Sequence, residues 1–354
     1  MNIVNEIAGW QSPSNLAIIK YWGKYGNQLP QNPSLSITLS HSFTETIIEY
    51  TQMEKGHGLT SDFYFEDQKL PAFKTRIDQF LSKVSGRFNH LNNLHLTIQS
   101  KNSFPHSSGI ASSASAMSAL ALCLCTIDEA LSGSKTHYND FLNKASFIAR
   151  IGSGSACRSV YPYASIWGQI STLPHSHQEY AIPFGDEIHP IFRTLNNDIL
   201  IVSSDQKSIS STAGHEMMNN NPYAPVRYEQ ARTKMDLLLN VMKEGDFFAF
   251  GNIAENEALT LHALMMSSEP SYVLMKPESL LLIQKIRTFR HDTGYPVFFS
   301  LDAGPNLHLL YPADISDSIK TWIHDELLPL CQNNYLIHDK AGKGPSQIEE
   351  FSIE

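Results

Sequence analysis

The segment from Leu94 to Cys125 constrains the fold more than any other part of the chain. It opens as an alternating run, "LHLTIQS", whose period of two predicts a strand over 94–100. The following residues, "KNSFPHSSGIASSAS", are small and polar, and they pass directly into the apolar run "AMSALALCLC". That succession predicts a loop followed by a buried helix, with serines gathered at the helix amino terminus. Backbone N–H groups there are unpaired and carry partial positive charge, which suits phosphate oxygens. Gly109 permits close backbone approach, and Ser107, Ser108, Ser112 and Ser113 add hydroxyl donors. Gly/Ser loops also open helices for packing reasons alone, so the loop by itself leaves both readings open. It is not a Walker A loop, because no GxxxxGK[ST] occurs.

The rest of the chain alternates in kind. Residues 35–51 are β-branched and alternating, which predicts a strand; 141–151 reads as a helix broken by "GSGSACRS". A strand is predicted over 164–173, and another begins at 199–204 after the Pro- and Asn-containing segment 183–198. We place a domain boundary in that segment, giving domains 1–190 and 191–354. Helical periodicity returns over 224–243, 247–266 and 277–293, where Pro277 and Glu278 suit a first turn. Short strands at 297–301 and 307–310 flank "DAGPN". The mixture in both halves predicts an α+β protein of two domains.

Composition narrows the class of function. With 354 residues, 42% hydrophobic and 17% charged, the chain reads as soluble and globular, with enough length for two cores. A formal net charge of -9 argues against non-specific nucleic-acid binding but not against a small anionic substrate in a locally cationic cleft. Cys123, Cys125, Cys157 and Cys331 form no CxxC pair and suggest no disulfide framework. The amino terminus lacks a basic region followed by an apolar core, and no apolar stretch reads as approaching the roughly 20 residues of a membrane span. A reduced, cytoplasmic protein is the resulting expectation. The 15 histidines show no HExxH spacing, and no His/Asp metal cluster stands out.

One run carries denser chemistry. "PSNLAIIKYWGK" places Lys20, Tyr21, Trp22 and Lys24 within five residues, a pattern that alone would also fit an amphipathic edge strand. It is followed in order by "LPQNPSLSITLS", "PHSSGIASSAS", "GSGSACRS", "SISSTAG" and "DAGPN". The serine loop resembles the phosphate-binding loop of the GHMP small-molecule kinase superfamily. The ordered set, from about residue 9 to about residue 312 and including "AENEALTLHALMM", resembles one branch of it, the mevalonate diphosphate decarboxylases. The resemblance implies a GHMP-kinase-like fold, with a ribosomal protein S5 domain 2-like N-terminal domain and a ferredoxin-like C-terminal α/β sandwich. It also implies a homodimer that uses ATP and Mg2+ to convert (R)-5-diphosphomevalonate to isopentenyl diphosphate, ADP, phosphate and CO2.

That reaction sets requirements. A tertiary hydroxyl is a poor leaving group, so it is phosphorylated first; loss of phosphate then builds positive charge that the departing carboxylate neutralises. The site needs a group at the hydroxyl, cations on the transferred phosphoryl, and a holder for the carboxylate. By resemblance Asp302 stands at the hydroxyl, although an Asp before Ala-Gly-Pro could also cap that turn. Arg158 holds the substrate carboxylate, its planar fork matching two oxygens, although it could instead tie its own loop to a helix end. The resemblance also makes Lys20 the candidate to bridge Asp302 and the phosphoryl group. It implies that Tyr21 and Lys24 contact the 5-diphosphate, with Ser153, Ser155, Ser210 and Ser211 beside the substrate and Lys207 just before the second serine turn. By the same resemblance Asn102, Ser107, Ser108, Gly109, Ser112 and Ser113 would hold the nucleotide, and Mg2+ would be carried mainly by phosphate oxygens and water. The chain departs from the family at Tyr161-Pro162-Tyr163, His106, Pro33, and at His215, where a hydrophobic residue is usual. Rival readings are a relative acting on mevalonate 5-phosphate, a kinase that does not decarboxylate, and a non-catalytic ligand sensor.

Overall fold

The computed structural model describes residues 6–54, 56–105, 110–205 and 209–349. The first half contains β1 (Glu6–Ile19), the short ribbon β2 (Lys24–Tyr25) and β3 (Leu29–Pro30), β4 (Ser34–Gln52), β5 (Thr60–Phe65) and α1 (Pro71–Val84). After these come β6 (Leu94–Asn102), α2 (Ser112–Ser132), α3 (Tyr138–Gly152), β7 (Ala164–Trp167) and β8 (Ala181–Pro183). The second half holds α4 (Pro190–Arg193), β9 (Asn196–Leu200), α5 (Ser211–Met217), α6 (Ala224–Glu244), α7 (Phe247–Met266) and α8 (Pro277–Thr293). It ends with β10 (Phe298–Leu301), β11 (Leu307–Tyr311), α9 (Ser316–Trp322), β12 (Leu336–Ile337) and β13 (Ser346–Gln347). The architecture is mixed α and β, as the alternating patterns predict.

Two sheets organise these elements. A seven-stranded sheet runs β13-β1-β4-β6-β5, with β7 paired to β4 and β8 to β7. A four-stranded sheet runs β10-β11-β9-β12. Because β13 pairs with β1, the end of the chain returns to the first sheet. The 19-residue β4 is the spine: its early residues pair with β7 and its later ones with β6, while β1 lies antiparallel along most of its length. The β1–β4 register shifts twice, between Pro13 and Asn15 and between Ala17 and Ile19. Such irregularities bend a strand and re-aim the side chains beyond it, here those of Lys20 and Tyr21.

The predicted helix after the serine loop is α2. It is apolar around most of its circumference and is buried against the first sheet and α3, as a helix of that composition must be. At 21 residues it is long and apolar enough to cross a membrane, so the expectation that no stretch approaches that length was wrong; most of its apolar window is covered by the rest of the chain. Trp10, Ile48, Leu96, Leu120 and Ile148 belong to the core beneath it. A second core joins Leu16, Ile37 and Ile166 of the first sheet to Met235 of α6, Phe250 of α7 and Phe298 of β10. This shared core clamps the end of β1 against the end of β10.

Two strand predictions are corrected. The strand expected over 164–173 stops at Trp167, because Gly168 adopts a φ of 107° that turns the chain away. The strand expected over 199–204 is β9, which starts earlier, at Asn196, and ends at Leu200. The helices at 247–266 and 277–293 have the bounds their periodicity predicts. The sequence reading did not identify α1.

Candidate active site

A cleft of about 590 Å3 opens where the end of β1 meets the end of β10. Its walls include Lys20, Tyr21 and Lys24, the 153–158 turn, Ser210 and Ser211, and Asp302. Of the residues singled out from sequence, the structure therefore brings Lys20, Tyr21, Lys24, Ser113, Ser153, Ser155, Arg158, Ser210, Ser211 and Asp302 to one cavity. Asn102, Ser112 and Ser113 line a smaller neighbouring pocket of about 130 Å3, walled by Phe63, Phe65, Phe73 and Ile98. Arg76, Ser113 and Met117 are common to both, so the pockets adjoin. His106, Ser107, Ser108, Gly109 and Lys207 lie outside the described residues.

Lys20 and Asp302 meet at the floor. The Lys20 ammonium donates to Asp302 Oδ1 at 2.8 Å and to Ser300 Oγ at 3.0 Å. Lys20 is almost fully buried, while the Asp302 side chain is 24% exposed toward the cleft. Burial pulls the lysine below its ordinary range, and the charges of Asp302 and Glu257 oppose that pull. The turn after Asp302 is closed through its backbone, with the Gly304 N–H donating to the Asp302 carbonyl at 2.7 Å. His262 Nε2 lies 3.1 Å from the same carbonyl.

Lys20 is also gripped from behind through its peptide group. Its N–H donates to Glu257 Oε2 at 3.0 Å, and its carbonyl accepts from Asn32 at 3.0 Å and from Arg227 at 3.3 Å. Glu257 is fully buried, takes two hydrogen bonds from Arg227 at 2.6 and 3.0 Å, and receives Lys234 at 3.1 Å. Helices α6 and α7 thus fix the backbone of a lysine that belongs to the other half of the chain. Sequence reasoning found Lys20 but not this support; Glu257 looked like one residue of a helical pattern.

Arg158 sits in a turn of 3-10 helix, Gly154–Val160, that follows α3. Gly154 is needed there, since a Cβ would come within 2.8 Å of the Tyr21 hydroxyl. The guanidinium is buried and donates to the hydroxyls of Ser34 and Ser36 and to Asn15 Oδ1 at 3.4 Å. It also lies over the Trp167 ring at 5.8 Å. Among the described residues no carboxylate reaches ion-pair distance of it, and burial pulls its pKa below the usual range. A buried cation held only by neutral groups bears a desolvation cost that no opposite charge within hydrogen-bond reach offsets. The alternative, that Arg158 merely ties its loop to a helix end, does not match these partners, which lie on β1 and β4.

Tyr21 packs between Trp167, at 4.7 Å, and His215, at 4.4 Å, with a buried hydroxyl that has no partner among the described residues. Lys24 reaches Gln28 at 3.1 Å, and partial burial lowers its pKa. Helix α1 contributes Arg76 and Lys83, which reading the sequence missed. They stand seven positions apart and so share a helix face, a signal that was available. Ser113 and Ser153 hydroxyls lie 3.2 Å apart, joining the start of α2 to the Arg158 turn. Tyr161-Pro162-Tyr163 does not line the cleft; its backbone pairs with Gly342 and Thr38 instead.

Comparison with known proteins identifies the family. The diphosphomevalonate decarboxylase-like N-terminal domain matches residues 12–177, and the mevalonate 5-diphosphate decarboxylase C-terminal domain matches residues 198–350. The diphosphomevalonate decarboxylase of Bos taurus is 30% identical over 83% of this chain and 74% of its own length. The crystal structure of mevalonate diphosphate decarboxylase from Staphylococcus aureus is 27% identical, covers 98% of this chain and 99% of that one, and superposes with a TM-score of 0.83. A structure of MDDEF in complex with MVAPP, AMPPCP and magnesium is 25% identical over 98% of this chain and all of the other, with a TM-score of 0.82.

Proposed function

The chain belongs to the diphosphomevalonate decarboxylase family, and from that premise we propose how its own residues carry out ATP-dependent decarboxylation of mevalonate 5-diphosphate. The observation that carries the reading is a pair of buried cations on one cleft. Lys20 is joined to Asp302 at 2.8 Å, and Arg158 is left without a carboxylate among the described residues.

Arg158 receives the substrate carboxylate, and the hydroxyls of Ser153 and Ser155 orient the acid end. That arrangement sets the tertiary hydroxyl near Asp302, which accepts its proton or holds it in line for transfer. Lys20 pairs with Asp302 at 2.8 Å and offsets charge on the transferring phosphoryl group. ATP with its magnesium supplies that phosphoryl group, turning the hydroxyl into a leaving group. The C–O bond then breaks toward phosphate, and the electrons of the breaking bond between the carboxylate and its CH2 carbon form the C=C double bond to the tertiary carbon, releasing CO2 and isopentenyl diphosphate. Lys24, Tyr21, Ser210 and Ser211 face the 5-diphosphate.

The second pocket suits a purine, with Phe63, Phe65 and Phe73 as its apolar walls and the start of α2 beside it for the phosphates. Among the described residues no three His, Cys, Asp or Glu side chains gather into a metal site. Magnesium would be carried by phosphate oxygens and water. A homodimer belongs to the same reading through the family resemblance, and a cytoplasmic location through four free cysteines that suit a reducing compartment.

The test is a coupled assay with ATP, Mg2+ and either mevalonate 5-phosphate or 5-diphosphate. CO2 and ADP are expected in equal amounts from the diphosphate. ADP without CO2 would make the protein a kinase. Ligand binding with neither product would make it a sensor.

A further inference from the structure

His215 stands on α5, one turn beyond Ser210 and Ser211, and lines the cleft. Its ring is wedged between Tyr21 at 4.4 Å and Trp22 at 4.6 Å. The wedge depends on Gly214, where a Cβ would come within 2.6 Å of the Trp22 ring. Nδ1 accepts the Gly23 N–H at 3.0 Å. A backbone amide can only donate, so Nδ1 bears the lone pair and the neutral ring carries its proton on Nε2. Burial, helped by the charges of Lys24 and Arg158, pushes the pKa down to about 3, so the ring stays neutral at ordinary pH. Nε2 makes no hydrogen bond among the described residues, although Nδ1 is fixed and the ring packs against two aromatic neighbours. The ring is thus an oriented, uncharged donor in a cleft lined by Lys24, Arg76, Lys83 and Arg158.

We propose that His215 is a specificity-determining residue whose Nε2–H donates a hydrogen bond to an oxygen of the bound phosphorylated hydroxy acid, between the end held by Arg158 and the end held by Lys24. The inference rests on the function proposed above. An uncharged donor adds direction without adding to the positive charge around it, and the hydrophobic residue usual at this position cannot supply it.

The two ring nitrogens can be tested apart. In His215→Asn the side-chain oxygen can replace Nδ1 and keep the Gly23 contact, with no donor further out. In His215→Gln the amide reaches the place of Nε2 and keeps the donor. His215→Met removes both while filling the space. The readout is the affinity of mevalonate 5-diphosphate by calorimetry, with ATP affinity, kcat and thermal unfolding measured alongside. We expect the Gln variant within about threefold of wild type, and the Asn and Met variants weakened about tenfold or more, as loss of a hydrogen bond to a charged group costs. ATP affinity should hold, and kcat at saturating substrate should stay within a few-fold. An Asn variant that binds like wild type overturns the proposal in favour of a Gly23 anchor. Equal weakening of all three assigns the effect to packing and overturns it as well, as does wild-type affinity in all three. Wild-type protein that binds the diphosphate without releasing CO2 fails the proposed function alone, and the affinity series still judges His215. Wild-type protein that does not bind the diphosphate overturns both.

Discussion

Lys20 and Arg158 are both buried cations on the wall of one cleft, yet Lys20 rests on carboxylates whereas Arg158 rests on hydroxyls and an amide oxygen. Removing an ion from water costs several kcal/mol, and only an opposite charge in good geometry repays it. Lys20 is repaid within the chain: Asp302 meets its ammonium, and the Arg227–Glu257 pair holds its peptide group. Arg158 is not: among the described residues its guanidinium meets only hydroxyls and an amide oxygen. The first is an ion pair completed within the fold; the second is a buried charge whose counter-ion, under the function proposed above, is the substrate carboxylate.

The comparison can be broken first at Asp302. Asp302→Asn keeps the shape of the floor but removes its charge, and CO2 release should fall by about 10^3-fold or more with ATP affinity near normal. Turnover within a few-fold of wild type would take Asp302 out of the mechanism.

Glu257→Gln strips the support behind Lys20 and leaves Arg227 buried without its carboxylate. Breaking a buried pair from one side costs about 3 kcal/mol, measurable as a lower denaturation midpoint with the slope unchanged. A loss of kcat exceeding the loss of substrate affinity would mark Glu257 as positioning Lys20 rather than only stabilising the fold.

Arg158→Lys retains the charge and loses the fork. Affinity for the substrate should drop roughly tenfold to a hundredfold, while stability without ligand changes little or rises, since no carboxylate loses a partner. A marked loss of unliganded stability would show that the arginine is held for the fold.

The last effect, spread over a range of pH, is a pH dependence. His308 is fully buried, its pKa pushed down to about 4, and His215 lies near 3, mainly through burial. Both take up a proton more readily when unfolded, near pH 6.5, so the unfolded state binds more protons between the two values. Their contribution is complete above about pH 6.5 and is lost as the pH falls toward 4, by on the order of 1 kcal/mol per unit for each group. Melting curves from pH 7 to 4.5 on wild type and His308→Gln should diverge from flatter behaviour in the variant; parallel curves would remove His308 from the account.

Much of this molecule was legible in one dimension. Helices α7 and α8 follow from periodicity, and the strand, serine loop and apolar helix around α2 follow from a change of period. These are local properties, set by side chains three, four or two positions apart. Lys20, Arg158 and Asp302 were found because their neighbours form motifs that resemble a family, not because the sequence shows that they meet. The 164–173 strand failed locally too, since a positive φ at Gly168 ends it and composition alone did not reveal that.

The order of motifs determined the chemistry that the chain is suited to perform and the residue types that perform it. Only the tertiary structure decided that Lys20 reaches Asp302 across 282 positions, that Glu257 and Arg227 hold it there, and that Arg158 is left with neutral partners. Charge pairing and desolvation depend on which surfaces the fold brings together and dries. In this chain those surfaces are the ends of β1 and β10, clamped by a core that draws on both halves.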